Sequence, residues 1–478
     1  MTSPRPHKQD WRARGTAVRL AAVLAWLCAW QVAAVLVGQP LILPGPVEVV
    51  VSLAGLLVTP AFWSQVTFSA ARILGALAAA YACALALAAA SRASRVVREL
   101  VSVPLSAVKA TPVVCVVVLL LIWLGSANVS VAAVFLMALP CLYFTVLEGL
   151  DSAGSALVEL FDVHGVRGLT RALGCAWPRV LPYVVAASET VVGMSWKAGV
   201  AAELIGVPAG SVGERIYQAK LLLETGDLFA WTIAVVAIAT ACERVVVALL
   251  RASGPACVSL AVHLRLGTRG TRGRAICPHS SGTNSPSPCP RGEWRARDLV
   301  LCHGNVAPIT YDAEPGSRVC VMAPSGTGKT TLLRTLAGLE APAAGECVAP
   351  ARVSAVPQSA ALVEFAPAWQ NVALLAAPGV DAARIDALLA ELIPGIDPSV
   401  PVSELSGGQR RRVELARTLA APGDLVLLDE PFAGLDEATR EHVCAIICRE
   451  LHGRALVVAT HDARDAAALG AATLELAK

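Results

Sequence analysis

Long apolar runs fill the first half of the chain and then stop. Segments of roughly 20 residues can be drawn at about 17–38, 67–90, 101–123, 129–149, 180–200 and 228–250, each long enough to cross the hydrocarbon core of a bilayer. Beyond about residue 298 the pattern changes to short apolar strings, such as Val319-Cys320-Val321-Met322, Val353-Ser354-Ala355-Val356, Leu425-Val426-Leu427-Leu428 and Leu456-Val457-Val458-Ala459. Strings of that length between polar and glycine-rich stretches predict buried parallel strands alternating with helices. The expected architecture is an α-helical membrane domain of about six transmembrane helices over residues 1–251, followed by an α/β domain over 298–478. Residues 252–297, rich in Gly, Ser, Pro and Arg, read as a flexible basic linker.

Composition agrees with a membrane protein: 55% of residues are hydrophobic, 16% are charged and mean hydropathy is +0.61, too apolar for an ordinary soluble chain. A net charge of +3 predicts no nucleic-acid partner. The positions of the cations matter more. Arg5, Lys8, Arg12 and Arg14 precede the first span, and the loop at about 39–66 has no Lys or Arg. Arg92, Arg95 and Arg98 follow the second span, and Arg167, Arg171 and Arg179 follow the fourth. Positive charge accumulates on the cytosolic side, so both termini and the α/β domain are expected in the cytosol, with Arg215 and Lys220 as the exception to the alternation. The first run is longer than the apolar core of a signal peptide and is read as a retained span. Lys197 and Glu203, in or near the fifth span, either line a pathway or lie at the outer interface. The 14 cysteines include no C-x-x-C pair; Cys277 and Cys289 around His279 read as incidental thiols rather than a metal knuckle.

The chemistry lies in the second half. Ala323-Pro324-Ser325-Gly326-Thr327-Gly328-Lys329-Thr330-Thr331 follows a buried strand and opens a helix. A glycine-rich turn at a helix N-terminus presents amides to the phosphates of ATP, the lysine neutralises them, and Thr330 offers a hydroxyl to Mg²⁺. Ala323 stands where such loops start with glycine, which requires ordinary backbone angles there. Asp429 ends an apolar strand, placing a carboxylate at the C-terminal edge of the sheet as a second Mg²⁺ ligand. Ser406-Gly407-Gly408-Gln409 follows Leu405 at the start of another helix, a further arrangement suited to phosphate.

A phosphate loop, then LSGGQ at Leu405–Gln409, then an apolar strand ending in Asp429-Glu430, resembles the ATP-binding cassette (ABC) ATPases. The resemblance implies ATP and Mg²⁺ as ligands, Glu430 as general base, His461 as the residue touching the γ-phosphate, and Gln358 as a Mg²⁺ and water contact that senses the permease. It also implies that Ser406, Gly407, Gly408 and Gln409 serve the nucleotide of a second cassette. The adenine-stacking residue is His303 or Tyr311. Residues 17–251 resemble binding-protein-dependent importer permeases of the nitrate, sulfonate and taurine type, and Glu159, Gly165, Pro178 and Pro182 within the loop 150–182 are spaced as in that family's coupling loop, although Leu160-Phe161 replaces its two small residues. The implied protein is a multi-pass translocase of the cytoplasmic (inner) membrane. It would work as a homodimer, or with a homologous half-transporter, in the lipid bilayer, and would import a small polar or anionic substrate delivered by an external solute-binding protein. An exporter half-transporter and a membrane-anchored regulatory ATPase are the alternatives.

Overall fold

The computed structural model describes residues 8–152, 156–267, 292–304, 306–324, 326–377 and 380–476. Ser325 and the Cys277–Cys289 stretch therefore lie outside the described residues. The helices of the first half are α1 (Lys8–Val37), α2 (Pro46–Val58), α3 (Pro60–Ala93), α4 (Arg95–Ala110), α5 (Val113–Asp151), α6 (Ala156–Val163), α7 (Gly168–Arg171), α8 (Trp177–Gly206), α9 (Val212–Leu221) and α10 (Thr225–Gly267). The chain divides into two compact units. One comprises residues up to Asp151 with Tyr183–Leu250, and the other comprises Ser152–Pro182 with Arg251–Lys478.

In the first unit, α3 carries its buried residues Ile73, Leu77, Ala80, Ala84 and Ala88 on one stripe, the spacing of a helix packed along another helix through small side chains. Arg72 donates to Ser130 at 2.9 Å and Ser91 meets Tyr143 at 2.9 Å, so the second half of α5 runs in the same direction as α3. Gly125, at φ 73°, breaks α5 into two helices. Among the described residues four helices are individually long and apolar enough to span a membrane: Val18–Val37, Pro60–Ala93, Val113–Asp151 and Thr225–Gly267.

The sequence expectations need two corrections here. The third predicted span is not one helix: Thr111 is extended at φ −80°, ψ 132°, as a residue before proline prefers, so the segment divides between α4 and the first half of α5. The predicted linker is not flexible from 252 onward, because α10 continues to Gly267 with Val258, Ala261 and Val262 buried. Their spacing is helical and apolar, and it outweighs the local glycine and proline content.

The second unit contains a three-stranded antiparallel sheet and a five-stranded parallel one. The strands are β1 (Trp294–Val300), β2 (Ile309–Ala313), β3 (Arg318–Met322), β4 (Ala344–Val348), β5 (Val353–Val356), β6 (Leu425–Asp429), β7 (Ala455–Thr460) and β8 (Ala472–Glu475). The small sheet has the order β2-β1-β4 and the large one β5-β6-β7-β3-β8. β1 begins at Trp294, four residues before the expected domain start. Every residue of β6 and β7 is buried, as parallel strands covered on both faces require. Helices α11 (Lys329–Leu336), α12 (Ala368–Ala373), α13 (Ala382–Leu392), α14 (Gly407–Ala420), α15 (Glu437–Glu450) and α16 (Ala463–Leu469) complete the unit.

Candidate nucleotide and coupling site

Parallel strands deliver their C-terminal ends to one edge of the sheet, where ligands of such folds bind. β3 ends at Met322 and leads through the phosphate loop into α11. Gly326 has φ 79° and Gly328 φ 118°. A Cβ on Gly328 would also lie 3.3 Å from the His303 carbonyl, so this position needs glycine for both its angle and its space. Ala323 is absent from the described residues with positive φ, which is the condition an alanine there has to meet. Lys329 begins α11 and donates to the carbonyls of Ala323 at 2.5 Å and Pro324 at 3.2 Å. Thr327 is buried and donates to the Pro324 carbonyl at 2.8 Å, and Thr331 lies in the first turn of α11, where its carbonyl accepts from Thr335 at 2.9 Å.

β6 lies two strands from β3 and ends in Asp429, whose carboxylate accepts from the Thr330 hydroxyl at 2.8 Å. Burial raises the Asp429 carboxyl above its ordinary range, and the Thr330 hydrogen bond offsets part of that rise. A hydroxyl beside a buried carboxylate is an oxygen donor set that fits Mg²⁺. Glu430 follows with φ 46°, a left-handed conformation that costs a non-glycine residue about 1 kcal/mol or more. His461, just after β7, places Nδ1 3.9 Å from Glu430 Oε1. Lys329, Thr330, Asp429, Glu430 and His461 are thus gathered at adjacent strand ends. Gln358 is exposed in the loop after β5.

The Leu405–Gln409 stretch has a local task that its motif did not disclose. Gln409 N–H donates to Ser406 Oγ at 3.4 Å and Ser406 N–H donates to Gln409 Oε1 at 2.8 Å, a capping box that starts α14 at Gly407. Of the two adenine candidates, Tyr311 stacks on buried Trp294 with ring centroids 5.1 Å apart, whereas His303 is exposed beside the phosphate loop.

The coupling-loop residues fall in the same unit as the cassette. Helix α6 buries Ala156, Leu157, Leu160 and Phe161 in a core shared with Val363, Ala366 and Leu374. Its Glu159 receives two hydrogen bonds from Arg334 of α11, at 2.6 and 3.0 Å, and Arg334 also donates to Glu340 at 2.5 Å. Gly165, at φ 61°, turns the chain after α6. Pro178 lies in the first turn of α8, directly after a π-helical turn at Ala172–Ala176, and Pro182 lies inside α8. Sequence reasoning missed Arg334; its signal was an arginine in the helix opened by the phosphate loop, beyond the lysine that serves the phosphates.

Comparison with known families gives two matches along the chain. Residues 306–433 match the ABC transporter family and residues 80–256 match the binding-protein-dependent transport system inner membrane component family. An aliphatic sulfonates import ATP-binding protein of Pseudomonas syringae is 37% identical over 202 residues, which cover 41% of this chain and 74% of that protein. The chain belongs to the ABC transporters. A second aliphatic sulfonates import ATP-binding protein, from Pseudomonas fluorescens, is 40% identical over 171 residues, and this chain spans 66% of its length while 35% of this chain is covered. An Fe(3+) ions import ATP-binding protein of Rhodococcus jostii is 39% identical over 180 residues, covering 33% of this chain and 51% of its own. This ABC transporter therefore carries a permease segment of the binding-protein-dependent type fused ahead of its cassette.

Proposed function

We propose that this chain is one half of an ABC importer, coupling ATP hydrolysis to uptake of a small polar or anionic solute across the cytoplasmic membrane. The observation that carries this reading is the bidentate Arg334–Glu159 pair: it ties a segment between two permease helices to the helix that opens with the phosphate-loop lysine. A change at the nucleotide thereby has a short mechanical route to the membrane domain.

In this reading Lys329 neutralises the ATP phosphates, and the amides from Gly326 to Thr331 cradle them. Thr330 and Asp429 hold Mg²⁺, which when bound neutralises charge on the β- and γ-phosphates. Glu430 takes the proton of the attacking water, His461, whose Nδ1 lies 3.9 Å from Glu430 Oε1, would steady the γ-phosphate, and Gln358, in the loop after β5, would contact the water and Mg²⁺. Ser406, Gly407, Gly408 and Gln409 of a second chain complete the site, so the working unit is a homodimer with two cassettes and two permease bundles. Both termini and the cassettes face the cytosol, and an external solute-binding protein delivers the substrate. Aliphatic sulfonates, named for two of the relatives above, are anions of this solute class.

The test is ATPase activity of the purified chain in proteoliposomes with candidate binding proteins. Activity that rises only with a loaded binding protein supports import. Activity indifferent to every binding protein but stimulated by lipophilic compounds would sink the reading in favour of export.

A further inference from the structure

Three side chains on one stripe of α14 grip the loop after β5. Arg411 donates to the Pro357 carbonyl at 2.7 Å, Glu414 accepts from the Ala361 amide at 2.7 Å, and Arg417 donates to the Ala361 carbonyl. Arg411 reaches further. Its second terminal nitrogen donates to the carbonyl of Asp429 and, at 3.4 Å, to that of Glu430. The same guanidinium is oriented by Glu414 at 2.8 Å, and the two side chains are 11% and 2% exposed.

We propose that Arg411, oriented by Glu414, is a positioning residue for ATP hydrolysis that locks the backbone of Glu430 to the loop bearing Gln358. The proposal rests on Glu430 as the general base. Glu430 sits at φ 46°, a conformation that persists only where the surroundings hold it. Its amide donates to the Ala459 carbonyl at 2.9 Å, and its own carbonyl accepts from Arg411, so both sides of the residue are pinned. The direction of its carboxylate follows from that pinning. Pro357 immediately precedes Gln358, and Ala361, Val363 and Ala366 share a core with α6. A shift of α6 that displaces this loop draws Arg411 away from Glu430 and disarms the base. Arg411 thus converts the position of a coupling helix into the geometry of a proton acceptor, through two discrete sets of hydrogen bonds rather than through distance alone.

The test uses the full chain in proteoliposomes, with R411K, R411Q and E414Q beside E430Q and Q358A. R411Q is expected to lower kcat roughly ten- to a hundredfold, the range for a misplaced catalytic group, while KM and binding of a fluorescent ATP analogue stay within about threefold. R411K, which keeps the charge and loses the fork, should fall between wild type and R411Q. R411Q combined with Q358A should lose less than the product of the single effects, because both act through one loop. If E430Q abolishes hydrolysis while R411Q keeps wild-type kcat, this proposal is overturned and the general base stands. If R411K and R411Q lose ATP binding and thermal midpoint in parallel with kcat, Arg411 is a structural residue and the proposal also fails. Near wild-type hydrolysis in E430Q would instead remove the base on which the proposal rests.

Discussion

Two buried carboxylates, one in each unit, are held by a hydroxyl in nearly the same way. Asp429 accepts from Thr330 at 2.8 Å, and Glu203 accepts from Ser69 at 2.7 Å. Their second partners differ. Glu203 also accepts from the Gly213 amide at 3.4 Å, while Ser69 accepts from the Val212 amide at 3.0 Å, so the pair caps the N-terminus of α9. A Cβ on Gly213 would lie 2.4 Å from that of Glu203, which shows how closely the corner is wound. Glu203 is therefore part of the fold, and Lys197 stands apart from it as an exposed side chain. Asp429 shares its surroundings with Lys329 and with the strained Glu430, at a sheet edge. Burial alone does not mark a functional carboxylate; what the remaining lone pairs face does.

The largest effect should come from the residue beside Asp429. Glu430→Gln keeps the shape of the side chain but removes the carboxylate proposed as proton acceptor. Hydrolysis is expected to fall roughly 10²–10⁴-fold, the usual worth of general base catalysis, with ATP binding retained in an equilibrium titration. Hydrolysis near the wild-type rate would show that another group activates water.

The next substitutions set the two carboxylates against each other. Because burial raises the Asp429 carboxyl, its ionised form is penalised in the folded protein at neutral pH; Asp429→Asn removes that penalty. The Mg²⁺-free protein should melt no lower, and by this sign somewhat higher, while Mg²⁺-dependent hydrolysis is lost. Ser69→Ala should do the reverse: it leaves a buried carboxylate and the Val212 amide short of a partner, at about 2 kcal/mol, with the cassette's basal turnover intact. Thermal melts and ATPase rates on the same samples check both. A fall in melting point with Asp429→Asn, or a loss of basal turnover with Ser69→Ala, would erase the distinction.

A third carboxylate, Glu159, is partly exposed and works by pairing. Glu159→Arg and Arg334→Glu should each reduce binding-protein-stimulated ATPase about tenfold, since charge-assisted bidentate bonds contribute about 1.5–3 kcal/mol. The double exchange should recover much of that loss. Equal losses in all three would mean that the pair does not transmit coupling.

These residues differ in how far the sequence disclosed them. The phosphate loop and the strand-ending Asp429 were legible because each demands a residue type at a fixed backbone position: glycine at φ 118°, a carboxylate at the edge of a buried strand. The membrane helices were legible from hydropathy, and so was the reversal at Gly125, which falls between the spans drawn at 101–123 and 129–149; the break at Thr111–Pro112 was not, since an apolar run continues through it. Arg334 and Arg411 were hidden because their partners lie far along the chain; Arg334 meets Glu159 across 175 residues. In the triplet Arg410-Arg411-Arg412, only the three-dimensional course of the loop after β5 separates Arg411 from its neighbours.

The smallest effect concerns a half-buried group whose charged neighbours are arginines. His164, just after α6, donates from Nδ1 to the Leu160 carbonyl at 2.8 Å, and its Nε2 has no hydrogen-bond partner. Burial lowers its pKa from 6.5 to about 4, and the nearby Arg417 and Arg265 push in the same direction. The unfolded chain therefore takes up the proton first as pH falls. The stability associated with the neutral ring is complete above pH 6.5 and is lost progressively as pH drops towards 4. His164→Gln, which cannot titrate, should flatten this part of the stability profile by up to one proton and leave the profile above pH 7 almost unchanged. Thermal melts of both proteins across pH 4–7.5 measure the difference. A slope that survives the substitution would assign the titration to another group and place His164 with the sealed, structural residues of which Glu203 is the example.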